Sequence, residues 1–316
     1  MKINKEDTVN RLLEHDNILI ISHMSPDGDT LGSAYALYHA LIAKNKTVRV
    51  DCSDVVPNRF SYLQKDYVDS SFQPDYIVAV DVAATQLIGS KLSCYIDQID
   101  LCIDHHPSND LYAIETYLVV TAAAACEIIY DVIVAMNVPL TTQMATCIYT
   151  GLATDTGCFC FSNTTSNTHY IAAELYKFPA PFEQINAILF NTKSKSRLLI
   201  EQQVLNTIEY FYGDRVAIIC ITQKMVEESH AEESELDGVS NIPRSIEGVE
   251  IGITLREKVD GNFKVSVRTT AKADASQICK IFQGGGHKRA AGCLIEADYH
   301  TAKRLLVEAI KPLLEN

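Results

Sequence analysis

Four separated segments of this chain carry side chains able to bind metal ions or move protons. HMSPDGDTLGS offers His23, Asp27 and Asp29, VAVDVA offers Asp81, LCIDHHP offers Asp104, His105 and His106, and GLATDTGCF offers Asp155. Carboxylates that converge without countercharge repel one another, so their pKa values rise or a cation sits among them. Few Lys or Arg flank these segments, which points to bound divalent metal. Imidazoles mixed with carboxylates suit manganese, magnesium or iron better than a structural zinc, which prefers thiolates. The ligand count exceeds the needs of one ion, and a carboxylate can bridge two. By residue type and placement, Asp81 and Asp155 are the choices for the shared positions. Two ions roughly 3.5–4 Å apart hold an attacking water and polarise a phosphoryl oxygen, so phosphoester hydrolysis is the chemistry such a centre does best.

Each residue taken singly also has an ordinary explanation. Asp27-Gly28-Asp29 after a proline suits a tight turn, and Asp81 suits a helix N-cap. His105 and His106 fit a surface, and Asp155 before Gly157 fits a helix end. The joint case is stronger because all of them fall at element ends in one stretch of chain. His15, His39, His169, His230 and His300 lack such settings and read as structural or exposed.

The elements that must position these groups are legible. NILIIS (17–22), TVRVDC (47–52), YIVAVD (76–81) and LCID (101–104) are short, continuously apolar runs that read as buried parallel strands. Helices are expected over 31–45, 122–137 and 141–155, with an amphipathic helix near the N-terminus. Strand and helix alternate, so the expected fold is α/β with a doubly wound, mainly parallel sheet. In such sheets ligands sit beyond the carboxyl ends of the strands, where these residues fall.

The stretch 181–212 reads as helical and contains the domain junction. Domains are expected at 1–190, carrying the metal-binding residues, and at 213–316, with a helical linker at 191–212 between them. Strands are expected at 215–222, 250–257 and 262–270, then a helix in DASQICKIF, the strand CLIEA and a closing helix. This is a second, smaller α+β C-terminal domain. Its sharpest feature is Gly284-Gly285-Gly286-His287, a glycine loop whose backbone N–H groups would approach an anion closely. Arg268 in the preceding strand would add a bidentate guanidinium. With a metal centre in the other domain, this suggests a substrate held between the two.

Bulk properties bound the partners. The 316 residues are 47% hydrophobic and 21% charged, ordinary for a soluble globular protein. No apolar run approaches a membrane span, and the polar N-terminal segment has no signal-peptide core, so the expected compartment is the cytoplasm and no membrane partner is expected. Ten cysteines form no Cys-x-x-Cys pair and mostly sit in apolar runs, which reads as free buried thiols. A net charge of -13 gives no general attraction to a long polyanion, so no long nucleic acid is expected and a phosphate-bearing substrate should be small.

HMSPDGDTLGS, VAVDVA, DHHP and ATDTGCF, in that order, resemble the four motifs of the DHH phosphoesterases, and GGGHKRAAG with Arg268 upstream resembles the DHH-associated C-terminal domain. The similarity runs across nearly the whole chain, and chain length points to the nanoRNase and pAp-phosphatase branch. The resemblance implies two divalent ions, manganese preferred, with magnesium or iron as alternatives. It implies His23, Asp27 and Asp81 on one ion, and Asp29, Asp81, His105 and Asp155 on the other. Asp104 would orient the imidazoles, and His106 would contact the scissile phosphate or assist proton transfer. Arg268 and Gly284 to His287 would bind the substrate's terminal phosphate or nucleotide. The implied activity is hydrolysis of short oligoribonucleotides, linear dinucleotides included, to mononucleotides, with dephosphorylation of 3′-phosphoadenosine-5′-phosphate (pAp) beside it. A single-strand DNA exonuclease of the same superfamily and a non-catalytic nucleotide-binding protein are the alternatives. A homodimer is compatible with this reading, though no sequence feature demonstrates one.

Overall fold

The structure, a computed structural model, describes residues 1–270 and 273–314, with the side chains of Glu233, Ser234, Asp237 and His287 outside that description. The chain divides into two compact units, Met1–Thr192 and Lys193–Asn316.

In the first unit the four apolar runs form strands β1 (Ile18–Ser22), β2 (Val48–Cys52), β3 (Tyr76–Val80) and β4 (Leu101–Asp104). A fifth, β5 (Glu115–Leu118), joins at the edge. Its Glu115 and Thr116 hid it among loop residues, because both are polar yet buried, Glu115 accepting from the Arg11 guanidinium. The order is β2-β1-β3-β4-β5, with every neighbouring pair parallel. The chain steps from β1 outward to β2, then returns to the other side of β1 for β3. The crevice beyond the carboxyl ends of β1 and β3 is therefore the switch point where such sheets bind ligands.

Helices α1 (Lys5–Glu14), α2 (Gly28–Ala43), α3 (Ala125–Ala135) and α4 (Thr142–Asp155) correspond to expected ones, and α5 (Ser166–Leu175) and α6 (Phe182–Asn186) follow. Residues of α2, α3 and α4 pack in one cluster with Ile18, Ile20, Val78, Val80 and Ile103 of the sheet. The alternate strand residues Leu19, Ile21, Ile77, Ala79 and Cys102 pack instead against Ile88 and Leu92, from 3₁₀ turns at 85–98. Strand alternation thus splits one apolar run between two core layers.

The second unit begins with α7 (Lys195–Leu205) and a six-stranded mixed sheet ordered β10-β11-β9-β8-β7-β6. Its strands are β6 (Glu209–Phe211), β7 (Val216–Ile221), β8 (Ile251–Glu257), β9 (Phe263–Thr269), β10 (Gly285–His287) and β11 (Ala290–Ile295). Two short helices, α8 (Gln223–Ser229) and α9 (Glu233–Leu236), follow β7, while α10 (Ala275–Lys280) and α11 (Tyr299–Leu314) come later. Among the described residues of this unit only β7 and β8 pair in parallel. Val265, Val267, Ile251, Ile253 and Leu255 face Ile278, Leu306 and Ile310 of α10 and α11. On the opposite face Ile219 and Ile221 pack on Ile200 and Val204 of α7 and on Leu236 and Val239.

Two expectations change. The stretch 181–212 is not continuously helical, because α6 runs into a π turn at Ala187–Asn191, the helix stops at Thr192, and Glu209–Phe211 is a strand on β7. The glycine run is not a free loop, because Gly285–His287 pairs antiparallel with β11. All ten cysteines are free, six of them buried and Cys94 and Cys160 exposed. Among the described residues no helix is long and apolar enough to cross a membrane.

Candidate metal centre

Each candidate ligand of the first unit stands where an element starts or stops. Asp27 caps α2, its Oδ1 accepting from the backbone N–H of Asp29 at 3.0 Å and of Thr30 at 3.1 Å. The capping explanation and the ligand explanation therefore apply to the same carboxylate, since a cap occupies only one of its oxygens. Thr30 Oγ1 donates to the Val80 carbonyl at 3.0 Å, tying the start of α2 to the end of β3. The next residue, Asp81, takes a left-handed backbone conformation with φ 59°. That conformation is costly for a non-glycine residue and is typical of sites where the side chain must be aimed. Asp104 ends β4, His105 and His106 follow it, and Asp155 ends α4.

The donor atoms converge into three groups: His23 with Asp27 and Asp81, Asp29 with His105 and Asp155, and Asp81 with His105 and His106. His23 Nε2 lies 3.7 Å from Asp27 Oδ1 and 3.8 Å from Asp81 Oδ2. His105 Nε2 lies 3.4 Å from Asp155 Oδ2, 3.5 Å from Asp81 Oδ1 and 3.8 Å from Asp29 Oδ2. These separations are long for hydrogen bonds. They suit donors that share an ion, since bonds of about 2.1 Å leave neighbouring ligands roughly 3–3.5 Å apart. His105 Nε2 and Asp81 Oδ1 are moreover buried without any hydrogen-bond partner. A buried orphan donor–acceptor pair is expensive unless something coordinates it, and a divalent cation fits this set. The shared members are Asp81 and His105, each in two groups, whereas Asp155 enters one. An imidazole nitrogen has one lone pair and binds one ion, so of these two Asp81 is the one able to bridge; the sequence also expects Asp155 at a shared position.

Surrounding contacts fix these side chains. Asp104, fully buried, accepts from His106 Nδ1 at 2.8 Å and from Asn109 Nδ2 at 2.6 Å, and its Oδ1 also accepts from the backbone N–H of His105 at 2.8 Å. It orients the His106 ring, while the His105 ring sets its Nδ1 3.2 Å from the Ala122 carbonyl. The expectation that Asp104 would orient both imidazoles thus holds for one. Asp29, also fully buried, accepts from the N–H groups of Ala125 at 2.6 Å and Cys126 at 2.9 Å, the start of α3. A helix N-terminus stabilises a carboxylate there. Asn163 Nδ2 donates to the carbonyls of Ala123 at 2.9 Å and Asp155 at 3.1 Å, stapling the approach to α3 to the end of α4. Sequence reading missed Asn109, Ala122 and Asn163, because each acts through a loop whose path the sequence does not state.

The electrostatics match a site built for positive charge. Burial, then the charges of Asp29, Asp27 and Asp155, pushes Asp81 well above the carboxylate range. Burial, then the same pair Asp29 and Asp27, does so for Asp155. Burial also raises Asp29. Asp104 goes the other way: burial alone would raise it, but the hydrogen bond and charge of His106 hold it below the usual range. His106 is correspondingly raised, the pull of Asp104 outweighing burial.

In the second unit, alternate residues of β9, Lys264, Ser266 and Arg268, face away from the apolar core into an open cavity of about 480 Å³. Gly285 and Gly286 line it too, as do Ala290, Ala291 and Gly292 of β11. Ala290 of β11 is paired with Arg268, and β11 pairs on its other side with the glycine strand, so one strand separates the guanidinium from the glycines. Gly284 permits close approach to β11, since a Cβ there would stand 2.3 Å from the Gly292 carbonyl. The expected substrate residues Arg268, Gly285 and Gly286 thus share one cavity. Gly284 supports it from the adjoining turn, and the side chain of His287 lies outside the described residues.

Residues 17–152 match the DHH family, N-terminal domain, and residues 214–316 match the DHHA1 domain. The bifunctional oligoribonuclease and PAP phosphatase NrnA of Thermus thermophilus is 31% identical over 93% of this chain and 89% of its own length. The chain belongs to the DHH family. This is a family of metal-dependent phosphoesterases, and the clustered DHH residues Asp104, His105 and His106 are the triplet that names it. A second DHH relative, the probable NrnA of Streptococcus mutans, is 28% identical over 89% of the chain and 90% of its own length. Among solved structures, an exopolyphosphatase-related protein from Bacteroides fragilis superposes with a TM-score of 0.89 at 27% identity, covering 99% of this chain and 98% of that one. RecJ of Thermus thermophilus in complex with Mn2+ superposes with a TM-score of 0.54 at 13% identity, covering 96% of this chain and 53% of that one, a likeness of fold alone.

Proposed function

We propose that this protein is a two-metal phosphoesterase that hydrolyses short oligoribonucleotides to mononucleotides and also dephosphorylates 3′-phosphoadenosine-5′-phosphate. The observation that carries the reading is the buried, unpartnered pair Asp81 Oδ1 and His105 Nε2, 3.5 Å apart where the ligand groups overlap. The curated relatives are named for both activities. His23, Asp27 and Asp81 would hold one ion, and Asp29, Asp81, His105 and Asp155 the other, with manganese the preferred metal. Such ions supply Lewis acidity toward a phosphoryl oxygen and acidify coordinated water.

The chain's own residues do the rest. Asp104 fixes the Nδ1 side of the His106 ring, so that this imidazole meets the scissile phosphate in a set tautomer and orientation. Arg268, Gly285 and Gly286, which line one cavity of the second unit, bind the substrate's terminal phosphate or nucleotide. The acidic surface, with 40 Asp and Glu against 27 Lys and Arg, disfavours long nucleic acid and suits a small cytoplasmic substrate.

The test is purified protein with manganese, a 5′-labelled RNA pentamer and pAp, beside Asp81→Ala. Stepwise release of mononucleotides by the wild type and none by the variant is the expected result. No turnover of either substrate by the wild type would overturn the assignment.

A further inference from the structure

Helix α3 has no capping side chain of its own. It follows Ala122-Ala123-Ala124, and Ala124 at the cap position offers no oxygen to the first N–H groups. Carboxylates supply what is missing. Asp29 accepts from Ala125 and Cys126, and Glu127 Oε2 accepts from the N–H of Ala123 at 3.2 Å. Glu127 is the third residue of α3 and is 4% exposed. Its Oε1 accepts from the hydroxyl of Thr168, itself fully buried and part of the cap that starts α5. A buried carboxylate is costly unless hydrogen-bonded, and this one ties residues 122–126 to α5. One whole ligand group, Asp29 with His105 and Asp155, hangs on that segment. The N–H groups of Ala125 and Cys126 hold Asp29, and the Ala122 carbonyl faces His105 Nδ1 at 3.2 Å. The Ala123 carbonyl accepts from Asn163, whose amide also donates to the Asp155 carbonyl. His23 and Asp27 are held differently, by Met24 and by the start of α2.

We propose that Glu127 is a positioning residue for the ion held by Asp29, His105 and Asp155, its two hydrogen bonds fixing the path of Ala122–Cys126 from which all three ligands are aimed. This rests on the two-metal reading above and deepens it. Glu127 acts through the Ala122 and Ala123 carbonyls and the N–H groups of Ala125 and Cys126. A carbonyl that holds Nδ1–H of His105 leaves Nε2 as the lone pair for the ion. Loss of the tie therefore weakens this ion and spares the one at His23 and Asp27.

The experiment is a calorimetric manganese titration of the wild type, Glu127→Ala, Glu127→Gln and Thr168→Val, with thermal melts of each protein in EDTA. The wild type is expected to take up two ions. Glu127→Ala should weaken one of them roughly 10–100-fold, the range for a lost partner behind a metal ligand, and leave the other unchanged. Glu127→Gln should restore most of that affinity, because its oxygen still accepts from Ala123 and its amide can donate to the Thr168 oxygen. Thr168→Val removes one of the two bonds and should fall between them, and it carries the test if Glu127→Ala does not fold. Lower melting temperatures in EDTA with both affinities unchanged would make Glu127 a packing residue and overturn the proposal. Equal weakening of both ions, or a Gln variant as weak as the Ala variant, would also overturn it. No manganese uptake by the wild type would overturn the two-metal reading and the proposal with it, so the two failures give different results.

Discussion

Asp81 meets three demands at one residue: it is 3% exposed, it occupies a left-handed backbone conformation, and it stands in two ligand groups. Its burial among Asp29, Asp27 and Asp155 keeps its proton affinity high, so in metal-free protein protons must leave before an ion binds. Manganese binding should therefore release protons and weaken as pH falls, which calorimetry in buffers of different ionisation enthalpy reads directly. The same shifts have a stability consequence. Asp81, Asp155 and Asp29 have folded-state values raised above the unfolded ones, so their contribution is complete below about pH 4, the ordinary carboxylate value, and lost as pH rises through the raised ones. Metal-free protein should lose stability as pH rises from about 4 toward neutrality, and manganese should restore it most at the upper end. A thermal-melt series with and without the ion checks this. Asp104 supports a ring and does not join the ligand groups. Asp104→Asn should cost roughly 10–100-fold in activity and shift the pH profile of the rate, while the melting temperature of the manganese-loaded protein changes little.

Between elements, the decisive contact is α2 against α4. Gly151 of α4 lets them close: a Cβ there would stand 2.2 Å from Cys126 Sγ and 2.6 Å from Asp29 Oδ1. Asp29 is clasped at the same place by the first N–H groups of α3. Gly151→Ala should therefore destabilise by about 1–3 kcal/mol through overpacking and displace a ligand as well. Denaturant unfolding reads the first effect and a manganese titration the second. Adding Cys126→Ala should return part of the stability by removing the nearer clash. If metal affinity is unchanged in the single variant, Gly151 serves packing alone.

For the whole molecule, the net charge of -13 bears on which polyanions can bind. Long single-stranded DNA should compete poorly with an RNA pentamer at physiological salt, because binding a polyanion draws on many contacts at once. A competition assay with a 40-mer measures this, and strong inhibition would favour the exonuclease alternative. Manganese at 100 times its dissociation constant should add about 2.7 kcal/mol of stability, removable by EDTA and absent in Asp81→Ala.

Much of this protein is decided by one dimension. Continuous apolar runs set the buried strands β1, β3 and β4, because a strand covered on both faces tolerates little else. Chemistry-bearing residues at strand ends followed from that, since the chain can expose them only where the sheet stops. Motif order and residue type were enough to collect His23, Asp27, Asp29, Asp81, Asp104, His105, His106 and Asp155. The three-dimensional chain decided what depends on distance. It put Asp81 where two ligand groups overlap, set Asp104 against the His106 ring and not the His105 ring, and turned a glycine run into a paired strand. It also brought in Asn109, Ala122 and Asn163, whose parts depend on where loops cross. Composition records which groups are present, but hydrogen bonds and coordination act over about 3 Å, a scale that only packing sets.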